Sequence, residues 1–129
     1  MLRSVLVVAL AAFALVGVTA CGGSSKPKAA PAPTDLRGKP AVEIDARNNQ
    51  WSPDDIIVTV GTKITFKNLD AVTHNVHKSA DAADFGAKFG TDSFGPGQTY
   101  SFTFAKAGTY FYACTIHAAM TGKIEVVAA

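Results

Sequence analysis

The sequence predicts an all-β domain, a sandwich or barrel of short strands. Three observations carry that prediction. Apolar and polar residues alternate with period two in several segments after residue 40. Turn-forming clusters separate those segments at short intervals. No long stretch carries the 3.6-residue period of an amphipathic helix.

Taken in order, "AVEIDA" sets Val42 and Ile44 against Glu43 and Asp45. "KITFKN" sets Ile64 and Phe66 against Lys63, Thr65 and Lys67. "TYSFTF" places Tyr100, Phe102 and Phe104 on one side of a strand, and "KIEVV" repeats the pattern near the C-terminus. "NNQ", "SPDD", "VGTK", "FGPGQ" and "KAGT" are the turns between them. Residues 78–92 fit this scheme worst and read as a short helix or an irregular loop, with Phe85 and Phe89 as a packing stripe. Trp51 and Phe66 are expected in the core. No internal repeat is present.

The first forty residues have a different character. Arg3 precedes Val5–Val18, an apolar run with the length of a secretory h-region and too short to span a membrane comfortably. It ends in "VTAC", which resembles the lipobox of bacterial lipoproteins. The resemblance implies a signal peptide over 1–20, cleavage before Cys21 and lipid on that cysteine, which would anchor the chain without making it span. Residues 21–40, rich in Gly, Ser, Pro, Ala and Lys, are expected to form a flexible tether. The folded domain is expected over 41–129. That part carries seven Lys/Arg against nine Asp/Glu, a balance that offers nothing to nucleic acid. The protein is expected outside the cytoplasm, at the cell surface or in a periplasm, as a monomer.

With Cys21 assigned to the anchor, Cys114 has no partner in the chain, so a secreted domain must shield it or use it. Alternation through "GTYFYAC" puts Tyr110, Tyr112 and Cys114 on one strand face. The following turn, "TIHAAM", can aim Cys114, His117 and Met120 at one point. A fourth ligand must come from elsewhere, and "HNVH" at 74–77 offers His74 and His77. A thioether suits zinc poorly, and zinc sites usually take more thiolates or carboxylates. Two imidazoles and a thiolate with a long axial Met is instead the blue-copper pattern.

"VTHNVH", followed forty residues later by "GTYFYACTIHAAM", resembles the cupredoxins, the type 1 blue copper family, and its amicyanin and plastocyanin branches in particular. "WSPDDIIVTVGTKITFKNLDAVTHNV" is similar to the family's early strands. The resemblance covers about residues 41–129. It implies a two-sheet Greek-key sandwich of about eight strands with one type 1 copper ion at one end. It also implies His74, Cys114, His117 and axial Met120 as ligands, with Asn75 and Thr115 hydrogen-bonded to tie the two ligand segments together. Ile116, Ala118 and Ala119 would ring the exposed edge of His117 as a docking surface. Family members often carry Pro where Ile116 stands. His77 is expected to be a structural or surface residue.

The function this implies is a membrane-tethered carrier of single electrons between redox protein partners, and not an enzyme. A copper delivery or storage protein is the alternative, but it would need an exposed and usually Met-rich site. The sequence shows no second metal cluster, nucleophile–base pair or cleft-forming insertion to support catalysis. An adhesive or ligand-binding sandwich would leave the four candidate ligands unexplained.

Overall fold

A computed structural model describes residues 28–79 and 89–129. Its compact unit runs Pro31–Ala129. The expected signal peptide, Cys21 and Phe85 lie outside the described residues. Among the described residues ten strands follow in order: β1 (Thr34–Asp35), β2 (Ala41–Arg47), β3 (Gln50–Ser52), β4 (Asp55–Thr59) and β5 (Lys63–Asn68), then β6 (His74–Lys78), β7 (Thr91–Phe94), β8 (Thr99–Thr103), β9 (Gly108–Ala113) and β10 (Thr121–Val127). They build a six-stranded sheet, β1-β4-β10-β9-β6-β7, and a four-stranded sheet, β3-β2-β5-β8. This is the two-sheet sandwich that the resemblance implies, one of the two architectures that alternation allows.

The period-two pattern becomes burial directly. Val42, Ile44 and Ala46 of β2, Ile64 and Phe66 of β5, and Ile124 and Val126 of β10 all point into the core. Trp51 packs between the sheets with Phe66 and Tyr112, their ring centroids 5.2–5.7 Å apart. Phe89 packs against this core as expected. β2 and β3 are joined by Asn48 and Asn49, both with positive φ (53° and 56°), the two-residue turn that matches the twist of a hairpin.

The ten strands among the described residues agree with the expected sandwich of about eight, the two-residue β1 and three-residue β3 being too short to show a period. One expectation needs adjustment. Residues 34–36, expected within the tether, belong to the sandwich. Thr34 and Asp35 pair in parallel with Ile56 and Ile57, and the Leu36 N–H donates to the Ile57 carbonyl at 2.8 Å. The free edge of β4 supplies backbone partners that composition alone does not reveal.

β9 runs antiparallel to both β10 and β6. The C-terminal end of β9 therefore meets the starts of β6 and β10 at one end of the sandwich. The clustered side chains described below lie there.

Candidate metal centre

Alternation along β9 buries Tyr110 and Tyr112, and Cys114 just beyond it, while Phe111 is exposed. Gly122 of β10 allows the Tyr112 ring to lie against the neighbouring strand: a Cβ there would run into the ring and into the Asp54 carbonyl. With Tyr112 fixed, the thiol arrives at the strand's end, shielded and only 4 % exposed.

The first imidazole comes from β6. His77 pairs with Ala113 across the ladder, which carries the start of β6 alongside Cys114 and Thr115. On its other side, β6 has an irregularity against β7 between His74 and Val76. Bulges of this kind re-aim side chains. Here His74, Asn75 and Val76 are all buried in succession, which strict alternation would forbid. The spacing alone leaves His74 and His77 open as ligand candidates, the resemblance implies His74, and the fold gives the two different surroundings. His74 is fully buried, while the His77 side chain is 34 % exposed with Nε2 3.5 Å from the exposed Asp92 carboxylate.

The second imidazole comes from the turn after β9. His74 Nδ1 lies 3.9 Å from Cys114 Sγ, and His117 Nδ1 lies 3.7 Å from it. One ligand atom from each of the three residues falls within 4.8 Å of the others. Metal–nitrogen and metal–sulfur bonds of about 2.0–2.3 Å place donors in a trigonal plane roughly 3.5–4 Å apart. The cluster has the size of a single ion. Met120 closes the turn and is 1 % exposed. Its carbonyl accepts the Cys114 N–H at 2.9 Å and the Trp51 indole N–H at 3.2 Å, and its own N–H donates to the His117 carbonyl at 3.4 Å.

The two ligand segments are laced together. Asn75 Nδ2 donates to Thr115 Oγ1 at 2.8 Å, and the Thr115 N–H donates to Asn75 Oδ1 at 2.7 Å. These are the two residues the resemblance pairs. Ile116 is 51 % exposed, and Ala118 and Ala119 are also on the surface around the half-buried His117. A surface groove of about 620 Å³, lined in part by Asp54, Asp55, Phe111 and Lys123, includes none of the clustered residues.

Three contributors escaped the sequence reading. Asp70 Oδ2 lies 2.9 Å from His74 Nε2. Burial alone would raise the Asp70 carboxyl, but the N–H groups of Asn49 and Asn48 and the His74 ring bring it below its ordinary value. Asn68 donates to the Val72 and Phe94 carbonyls, shaping the loop that leads to His74. The Trp51 indole reaches across 69 residues of chain to the Met120 carbonyl. The four-residue spacing of Asp70 and His74 was the one local signal available.

A thiolate and two imidazoles gathered at the end of a β-sandwich, with a buried methionine closing the turn, define the class: the blue copper electron-transfer proteins. The family described as copper binding proteins, plastocyanin/azurin family, matches residues 39–127. Amicyanin of Paracoccus denitrificans is 34 % identical over 117 residues, covering 91 % of this chain and 88 % of its own length. Plastocyanin A'/A'' of Nicotiana tabacum is 39 % identical over 83 residues, 57 % of this chain and 84 % of its own. A solved structure of an oxidised amicyanin mutant superposes with a TM-score of 0.61 at 35 % identity, covering 68 % of this chain and 83 % of that one. The chain belongs to the plastocyanin/azurin family of copper binding proteins. Its cofactor is one copper ion, and His74, Cys114 and His117 are positioned to hold it.

Proposed function

We propose that this protein carries single electrons between redox protein partners outside the cytoplasm, tethered to a membrane through lipid on Cys21. His74, Cys114 and His117, with Met120 as a weaker fourth donor, would hold a copper ion that supplies a Cu(I)/Cu(II) couple. Thiolate and thioether favour Cu(I), while imidazole serves both states. The observation that carries this reading is the burial of the cluster: His74 and Cys114 are closed to solvent, and only His117 is half-exposed. A carrier needs a shielded site with one contact edge, whereas a delivery protein needs an open one.

The chain's own residues supply the rest. The bonds of Asn75 to Thr115, and of Cys114 and Trp51 to the Met120 carbonyl, hold the donors in place so that little must rearrange when charge changes. Ile116, Ala118 and Ala119 form a small apolar rim around the His117 ring, suited to brief docking with a partner and to exchange through the imidazole edge. The protein acts as a monomer in this role.

Loading the protein with Cu(II) tests the centre. An intense thiolate-to-copper absorption band near about 600 nm is expected, and Cys114→Ser should abolish it. A band that survives the substitution overturns the assignment. The tether is tested separately: Cys21→Ser should move the protein from the membrane fraction to the soluble one.

A further inference from the structure

We propose that Asp70 is a positioning residue for His74, and that its carboxylate biases the copper centre towards Cu(II). The inference rests on the copper reading above.

The carboxylate is held from several sides. Its Oδ1 accepts the Asn48 N–H at 2.6 Å, and its Oδ2 accepts the Asn49 N–H at 3.0 Å. Both donors are the positive-φ residues of the β2–β3 turn, so that hairpin tip is docked on Asp70. The Asp70 N–H donates to Asn68 Oδ1 at 2.9 Å, and Asn68 is itself fully buried and anchored to the Val72 and Phe94 carbonyls. The carboxylate therefore has its place whether or not His74 is ligated. Against this fixed group lies His74 Nε2, at 2.9 Å, with the two side chains 14 % and 0 % exposed.

Two consequences follow from the chemistry. An ionised carboxylate only accepts, so in the neutral ring Nε2 carries the proton and Nδ1 keeps its lone pair. Nδ1 is the atom that faces Cys114 Sγ at 3.9 Å. Asp70 thus selects the tautomer that can bind metal and fixes the ring's direction. The negative charge behind the ring also makes the imidazole a stronger donor, which stabilises the more positive oxidation state. A neutral partner in the same place would leave a higher reduction potential.

The test uses the full, copper-loaded chain and compares Asp70→Asn with Asp70→Glu. The Asn variant keeps the shape and removes the charge. Its preference for Cu(II) over Cu(I) should fall about tenfold, an upward shift of about 59 mV. The Glu variant restores the carboxylate and should return most of that shift. A potential unchanged in Asp70→Asn overturns the proposal, including when the melting temperature falls, since that is what a purely structural anchor would do. If the Asn variant does not fold, nitrogen-15 NMR of the wild-type Cu(I) protein decides. His74 should show a slowly exchanging Nε2 proton, and a rapidly exchanging one overturns the proposal. The wild-type thiolate-to-copper band separates the two levels: without it the copper reading fails and this one with it, whereas with it a null result sinks Asp70's role alone.

Discussion

Replacing Asn75 with alanine removes both hydrogen bonds that bridge the two ligand segments, those with Thr115 Oγ1 at 2.8 Å and the Thr115 N–H at 2.7 Å. Each ordinary bond contributes about 1 kcal/mol net. The loss is tempered on one side, because Thr115 is exposed and water can resolvate its N–H. Asn75 itself is only 6 % exposed, so the truncation also leaves a gap that water fills poorly. The expected cost is therefore about 1–2 kcal/mol. For a domain of this size each kcal/mol moves the melting temperature by about 4–8 °C, so the copper-free protein should melt about 4–16 °C lower. Working without copper matters, since ligation would mask the loss by mass action. Thr115→Val provides an internal check: it keeps the backbone N–H bond and should cost about half as much. A fall of less than about 2 °C in Asn75→Ala would refute the claim that this bridge holds the segments together.

Gly122→Ala should cost about 1–3 kcal/mol by overpacking, because the new Cβ meets the Tyr112 ring and comes within 2.6 Å of the Asp54 carbonyl. Urea titration should show a lower midpoint at unchanged slope, and an unchanged midpoint would contradict the packing. At the edge of the sandwich, the Arg37 side chain and N–H hold the Asp35 carboxyl down to about 2. A depressed carboxyl stabilises the fold above its unfolded value of about 3.9 and loses that contribution as pH falls through its folded value. The attachment of β1 should therefore weaken between about pH 4 and 2, seen as faster amide exchange at Leu36, whose N–H binds the Ile57 carbonyl. Asp35→Asn should remove this pH dependence, and its persistence in the variant would rule Asp35 out as the source.

Much of this protein was legible from local pattern. Alternation in β2, β5 and β9 named the inward residues, including Tyr112 and Cys114, because a strand's side chains change face at every residue whatever it pairs with. The spacing of Cys114, His117 and Met120 was equally local, since three residues of a single turn lie near each other in any fold. Short β1 was hidden in a Pro- and Gly-rich stretch, because a strand of two residues owes its existence to the open edge beside it.

Local alternation could not separate His74 from His77, which the resemblance did; the physical basis lies in the pairing of β6 with β9 and its irregularity against β7. Asp70, Asn68 and Trp51 lay beyond local reasoning for a similar reason. Asp70 gains its role from a hairpin tip some twenty residues earlier, and Trp51 from a carbonyl 69 residues later. Sequence by itself determined which residues face inward and which donors one turn can present, since backbone periodicity imposes both. Tertiary structure alone decided which groups restrain the cluster and why His74 rather than His77 is buried in it, because those depend on strand register and on contacts between distant segments.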